Sequence, residues 1–207
     1  MSTPRPEIPE MQPEADPMVR FEAWLAEAGA SEPNDPNAMA VASVGADGLP
    51  NLRMVLLKGH DARGFVFYTN FESAKGTELQ SHAKAALLFH WKSLRRQVRV
   101  RGQVSVVTKD EADAYFASRP RDSRIASIAS AQSRSLQNRA QLLSDIDKVA
   151  AQFEGQEDVP RPDRWSGFRV TPLEIEFWQD GAHRVHDRLV YRRADTTAAW
   201  TTSKLYP

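Results

Sequence analysis

The sequence predicts an α+β domain that is mainly β: an antiparallel β-barrel with helices packed around it. Three observations predict it. Short runs rich in valine and aromatic residues lack helical period and are joined by tight turn signals, Asp47-Gly48 and Asp61–Gly64. Helical patterns are few and inserted between those runs. No glycine-rich strand–turn–helix fingerprint and no P-loop marks a doubly wound parallel sheet.

Taken in order, residues 1–15 read as a flexible arm, with prolines at 4, 6, 9 and 13 and acidic residues between them. Residues 16–207 read as one domain. Asp16 and Pro17 form an N-cap and a first-turn proline, and Phe21, Trp24 and Leu25 follow at helical spacing until about Gly29. Ser31–Asn37 is a loop. Ala38–Val44, Asn51–Lys58 and Phe65–Thr69 make a three-strand meander. Ser73–Ser81 reads as a short helix, Ala85–Trp91 as a strand and valine-rich Gln97–Val107 as a long strand. Lys109–Ser118 is helical and stops before Pro120. Gln137–Phe153 carries an amphipathic stripe through Leu142, Leu143, Ile146, Val149 and Ala150. Gly167–Val170, Leu173–Trp178, Arg184–Arg192 and Trp200–Leu205 close the chain as strands.

Composition excludes several function classes. Lys+Arg and Asp+Glu are both 27, so no whole-molecule field favours nucleic acid or anionic membrane. Zero cysteine excludes a disulfide scaffold, an iron–sulfur cluster and a cysteine nucleophile, and fits a cytoplasmic location. No apolar run approaches the ~20 residues of a membrane span. His183 and His186 point opposite ways on a strand, with no carboxylate cluster to complete a metal site, so no metal is expected.

Four local constellations remain. In Arg53-Met-Val-Leu-Leu-Lys58 the two cations lie on opposite strand faces and serve either two anions or two solvated strand ends. Gln97, Arg99 and Arg101 share a face that reads as an ordinary polar exterior, without the aromatic interleaving of a single-strand nucleic-acid platform. Tyr115 and Arg119 sit at i, i+4 on a helix end, with Ser123 just past Pro120. They converge on one small anion, or simply cap a helix with an ion pair to Asp122. On a strand, Arg184, His186 and Arg188 would share one face beside Trp178. Several cationic sites without a nucleophile or a catalytic carboxylate pair point to a phosphorylated ligand and an organic cofactor.

Arg53-Met-Val-Leu-Leu-Lys58, Phe67-Tyr-Thr-Asn70, Leu94-Arg-Arg-Gln97, Tyr115-Phe-Ala-Ser-Arg-Pro-Arg-Asp-Ser123, Gln132-Ser133, Ile175-Glu-Phe-Trp-Gln179 and His183-Arg-Val-His-Asp-Arg188 occur in this order. In these motifs the chain resembles the pyridoxine/pyridoxamine 5′-phosphate oxidase family from about Asp16 to Pro207. The resemblance implies an FMN-binding split β-barrel and a homodimer with two sites at the subunit interface. It implies a flavoprotein oxidoreductase of vitamin B6 biosynthesis that oxidises pyridoxamine 5′-phosphate and pyridoxine 5′-phosphate to pyridoxal 5′-phosphate. O2 would be the acceptor, giving H2O2, with ammonia released from the amine.

By family pattern, FMN would be held by Arg53, Met54, Val55, Leu56, Leu57, Lys58, Tyr68, Thr69, Ser73, Lys75, Gln97, Gln132, Ser133, Trp178 and Arg188. Lys58, Tyr115, Arg119 and Ser123 would meet the substrate phosphate. Arg184 and His186 would be the catalytic pair over the substrate ring. The chain departs from the family pattern at Ala74, where a polar residue is usual, across Ile125–Gln132, and in the arm, where Arg5 is the only cation before Arg20. Two other readings of the same residues are a different split-barrel flavin reductase and a non-catalytic binder of FMN or pyridoxal phosphate.

Overall fold

The computed structural model describes residues 9–207. In chain order the elements are α1 (Pro17–Ser31), β1 (Ala38–Val44), β2 (Pro50–Leu56), β3 (Gly59–Asp61), β4 (Gly64–Asn70), α2 (Ala74–Ser81), β5 (Lys84–Trp91) and β6 (Arg96–Val106). There follow α3 (Lys109–Ser118), α4 (Arg121–Ala129), α5 (Arg139–Gln152), β7 (Trp165–Gln179), β8 (Asp187–Arg192) and β9 (Thr201–Lys204).

All pairings are antiparallel, along the path β2-β1-β5-β6-β7-β4-β3, with β8 added to β7 and β9 to β8. The two ends of that path, β2 and β3, are separated in the chain only by Leu57 and Lys58. Two residues span about 7 Å at most, so the sheet has to curl until its edges meet. The Lys58 N–H completes the closure by donating to Val66 O on β4 at 2.8 Å.

The inner face is filled by Met39, Val41, Phe65, Phe67, Leu87, Phe89, Val98, Val100, Ile175 and Phe177, each no more than 1% exposed. Helix α1 starts as its sequence requires, with Asp16 Oδ1 accepting from Met18 N at 2.9 Å and Pro17 in the first turn. It drives Phe21 edge-on against Phe65 and Phe89 at 4.8 and 5.1 Å, and Trp24 against Phe177 at 5.3 Å.

The structure differs from the sequence reading in several places, the short strand β3 among them. Gly167–Val170 and Leu173–Trp178 are one 15-residue strand, β7, whose first half pairs with β4 and second half with β8. The register shift in β6 between Arg101 and Gly102 lets the strand run on through Pro172. Pro120 does not merely end α3; it is the N-cap residue of α4. The run Arg184–Arg192 is not one strand. Residues 180–186 form the turn between β7 and β8, with His183 and Arg184 at φ 53° and 66°. The turn is tight enough that a Cβ at Gly181 would lie 1.7 Å from Val185 O. Of the arm, residues 1–8 lie outside the described residues. Residues 9–15 dock on β8, where Met11 is buried and donates its N–H to Asp187 Oδ2 at 2.5 Å, and Glu14 N donates to the Tyr191 hydroxyl.

Candidate active site

Strands β2 and β4 and helices α2, α3 and α4 enclose a cavity of about 470 Å³. Alternation along β2 sends Met54, Leu56 and Lys58 outward to its rim and Arg53 and Leu57 the other way. Lys58, Tyr68, Thr69, Lys75, Tyr115, Arg119, Ser123 and Gln132, all named from the sequence, line this one space.

One wall is an aromatic pile. Tyr68 stacks on Tyr115 at 4.0 Å and on Trp165 at 5.4 Å, with interplanar angles of 18° and 9°. The Arg119 guanidinium lies 4.9 Å from the Trp165 ring centroid and donates to Ser127 Oγ at 2.6 Å. No ion pair joins Arg119 to Asp122 among the described residues, so that expectation is corrected. The aromatic pile holds the cation instead. Burial lowers the Arg119 pKa, and a guanidinium stays charged even so.

Opposite, Lys75 Nζ, Thr69 Oγ1 and Gln132 Oε1 form a triangle with edges of 3.1, 3.2 and 3.1 Å. Burial, and then the positive charge of Arg53, hold Lys75 below its ordinary value. Among the described residues, Lys58, Lys75 and Arg119 have no carboxylate partner within ion-pair distance. Trp165 is a lining residue that the sequence reading misses. It sits two residues ahead of the strand expected there, and its indole carries no charge to flag it.

Not every expected residue reaches this cavity. Ser73 is fully buried, and its hydroxyl caps α2, accepting from Gly76 N at 3.2 Å and donating to Asn70 O at 2.6 Å. Leu57 is buried, Val55 lines the cavity, and Ser133 is exposed beside it with φ 69°. Arg53 turns toward α2 and pairs with Glu78 at 3.0 Å.

A second group forms on the sheet's outer face. Register places Gln97 opposite Trp178 and Trp178 opposite Arg188, one row across β6, β7 and β8. Glu176 fixes Arg188 there by accepting from its Nε at 2.7 Å. His186 packs on Trp178 at 4.6 Å and faces Asp180 Oδ1 at 3.2 Å. The same Nδ1 accepts from Gly181 N at 3.2 Å. Arg184 is exposed in the turn. Arg184, His186 and Arg188 therefore do not share a strand face by alternation, because the strand begins only at Asp187. Ser166, opposite Thr69 on β4, and Trp178, opposite Arg188 on β8, lie 12 residues apart on β7, about 40 Å of extended strand, so one protomer carries two separate groups.

A family model described as pyridoxamine 5′-phosphate oxidase matches residues 25–153. A second, described as the pyridoxine 5′-phosphate oxidase C-terminal dimerisation region, matches residues 165–207. The chain is 60% identical over 192 residues to the pyridoxine/pyridoxamine 5′-phosphate oxidase of Nitrobacter winogradskyi, covering 93% of this chain and 90% of that one. It is 59% identical over 199 residues to the protein of the same name from Caulobacter vibrioides, covering 96% and 88%. Among solved structures, PhzG from Burkholderia lata 383, in complex with tetrahydrophenazine-1-carboxylic acid, matches with TM-score 0.87 at 32% identity over 94% of each chain. An FMN-binding, pyridoxamine 5′-phosphate oxidase-related protein from Nostoc punctiforme shares the fold, with TM-score 0.72 at 15% identity over 94% of this chain and all of that one. The curled sheet is that of the split β-barrel.

Proposed function

The chain belongs to the pyridoxamine 5′-phosphate oxidase family, a family of oxidoreductases, and from that membership and the cavity's chemistry we propose the activity that follows. The protein oxidises pyridoxamine 5′-phosphate and pyridoxine 5′-phosphate to pyridoxal 5′-phosphate with FMN as cofactor and O2 as acceptor. The observation that carries this reading is the set Lys58, Lys75 and Arg119, three cations without carboxylates around one cavity whose walls also carry hydroxyls and stacked aromatic rings. Such a donor set fits phosphate groups and flat rings.

The donor chemistry also fits FMN. Lys75, Thr69 and Gln132, with Arg53 behind them, are suited to a phosphorylated flavin. Gln97, Trp178 and Arg188 offer an amide, a ring face and a fixed cation on the second wall. Bound FMN supplies the acceptance of a hydride equivalent from the substrate's 4′ carbon and its return to O2 as H2O2.

The chain's own residues bind and orient. Lys58, Tyr115, Arg119 and Ser123 take the substrate phosphate, through charge-assisted bonds worth about 1.5–3 kcal/mol each where desolvated. The Trp165 ring under the Arg119 guanidinium, with the Ser127 hydroxyl as acceptor, limits its poses before substrate arrives. Arg184 and His186 orient the pyridine ring and stabilise developing charge. Because they lie far from the cavity within one protomer, a homodimer pairing one subunit's cavity with the other's turn makes the site whole. The C-terminal match to a dimerisation region supports that arrangement.

The test is the visible spectrum of the purified protein, followed by H2O2 release with each phosphorylated substrate. A flavin spectrum, bleached anaerobically by either substrate, is expected. A colourless protein that FMN cannot reconstitute would overturn the reading. Bound FMN without turnover would favour a non-catalytic binder. Turnover confined to other substrates would favour a different flavin enzyme.

A further inference from the structure

Arg53, expected to serve a ligand, is engaged by the protein itself. Its NH1 group donates to Ser43 Oγ at 2.5 Å and to Val41 O at 3.3 Å, and its NH2 group to Glu78 Oε2 at 3.0 Å. Glu78 lies on α2 three residues after Lys75, and its side chain is 10% exposed. Its other contacts are Ser43 Oγ, donating at 2.5 Å, and Asn51 Nδ2, donating at 2.6 Å. Ser43 and Asn51 face each other across β1 and β2, and Val41 faces Arg53 in the same ladder. One carboxylate thus gathers the edge hairpin onto the helix that carries Lys75.

The directions are consistent. Arg53 donates to Ser43, and the single Ser43 proton goes on to Glu78. A guanidinium has five N–H groups. The three engaged here leave two, which have no acceptor among the described residues. The guanidinium is therefore held in one pose with donors to spare, against α2, the helix whose Lys75 lines the cavity.

We propose that Glu78 is a positioning residue for the cofactor phosphate, acting through Arg53: it pre-aligns the guanidinium so that the two remaining N–H groups meet an incoming phosphate. The proposal deepens, and rests on, the reading of this cavity as an FMN site. Electrostatics makes it counter-intuitive and so discriminating. By charge alone, removing a carboxylate near a phosphate site tightens phosphate binding. If Glu78 acts through Arg53, its removal weakens binding, because the guanidinium then has to be ordered by the ligand. A residue that merely clamps the hairpin would affect every ligand equally.

The experiment titrates apoprotein with FMN and with riboflavin, which lacks the phosphate, by flavin fluorescence quenching. The proteins are wild type, Glu78→Gln, Glu78→Ala, Arg53→Ala and the double variant. Expected is an increase in FMN Kd of about tenfold for Glu78→Ala and less for Glu78→Gln, with riboflavin unchanged. On the Arg53→Ala background, Glu78→Ala should add nothing. Should Glu78→Ala fail to fold, Glu78→Gln carries the test with the same sign. Unchanged or tighter FMN binding in the Glu78 variants would overturn the proposal alone. So would an equal loss of riboflavin, or a loss that persists without Arg53. Wild-type protein that binds no FMN would overturn the reading of the cavity, and the proposal with it.

Discussion

Arg119 shows how a cation is kept available for a ligand. Most arginines of this chain are paired, as Arg53 is with Glu78, Arg169 with Glu111 and Asp61, and Arg188 with Glu176. Arg119 instead rests on the faces of Trp165 and Phe116, at 4.9 and 5.6 Å, with one serine hydroxyl as acceptor. A ring face stabilises the charge without consuming it, so the guanidinium edge stays open to a phosphate. Arg119→Ala should raise KM for the phosphorylated substrate about tenfold or more, the loss of one charge-assisted contact. FMN affinity should stay near wild type. Arg119→Lys should restore little, because an ammonium cannot lie flat on Trp165. Steady-state kinetics with a parallel FMN titration checks both. At this scale the sequence was informative about chemistry and silent about support. The i, i+4 spacing of Tyr115 and Arg119, and the proline beyond, point to a convergent anion site. Nothing in the spacing names Trp165 as the platform, because that contact joins α3 to a strand 46 residues away, counted from Arg119 to Trp165.

Helix α3 delivers Tyr115 and Arg119, and its start is secured by charge. Thr108 and Glu111 form a capping box in which each side chain satisfies the other's backbone N–H. Glu111 also accepts from Arg169 at 2.7 Å and Arg63 at 3.1 Å, tying the helix to β7 and to the β3–β4 turn. The Thr108 N–H first, and then the two guanidinium charges against a modest cost of burial, hold Glu111 below the usual carboxylate range. A carboxyl whose folded pKa lies below its unfolded value of about 4.3 contributes stability that is complete above that value. The contribution fades as pH falls through the folded pKa. Thermal melts should therefore lose Tm on acidification below about pH 4, and Glu111→Gln should flatten that part of the profile while lowering Tm at neutral pH. An acid limb as steep in the variant as in wild type would assign the dependence to other carboxylates. Elements were legible where one local rule governs them. The cap and proline of α1, the turn at Asp47-Gly48 and the alternation of β2 appear as read. Elements failed where one residue does two jobs, as Pro120 does in ending α3 and capping α4. Residues 180–186 failed because an alternating Arg-Val-His pattern there belongs to a turn closed by Gly181.

Among the described residues, the outer face of the sheet is uncovered toward its β2 edge. Leu52 and Met54 on edge strand β2 are 69% and 64% exposed, and register carries that surface across Ala40 and Ala42 to Leu88. An exposed, apolar edge strand invites another chain. The same face bears the row Gln97, Trp178 and Arg188, with Arg184 and His186 in the turn beside it, while the phosphate-suited cations line the cavity some strands away. A symmetric dimer reconciles the two if each cavity is completed by the partner's turn, and complementation distinguishes this from a site within one chain. Arg119→Ala removes a cavity residue, and Arg184→Ala removes a turn residue. Each homodimer should be nearly inactive. Mixed at equal amounts and allowed to exchange subunits, they should form heterodimers in which one site carries both lesions and the other carries neither. Random exchange makes about half the dimers mixed, so H2O2 production should recover to about a quarter of wild type for a twofold-symmetric assembly. Recovery should fail when exchange is blocked by cross-linking each homodimer beforehand. No recovery after demonstrated exchange would mean that Arg119 and Arg184 serve the same chain's site. Leu52→Glu supplies the converse, since a charge on the apolar edge should shift the protein toward monomer in sedimentation and reduce turnover in step with dimer content, leaving the barrel's far-UV circular dichroism intact.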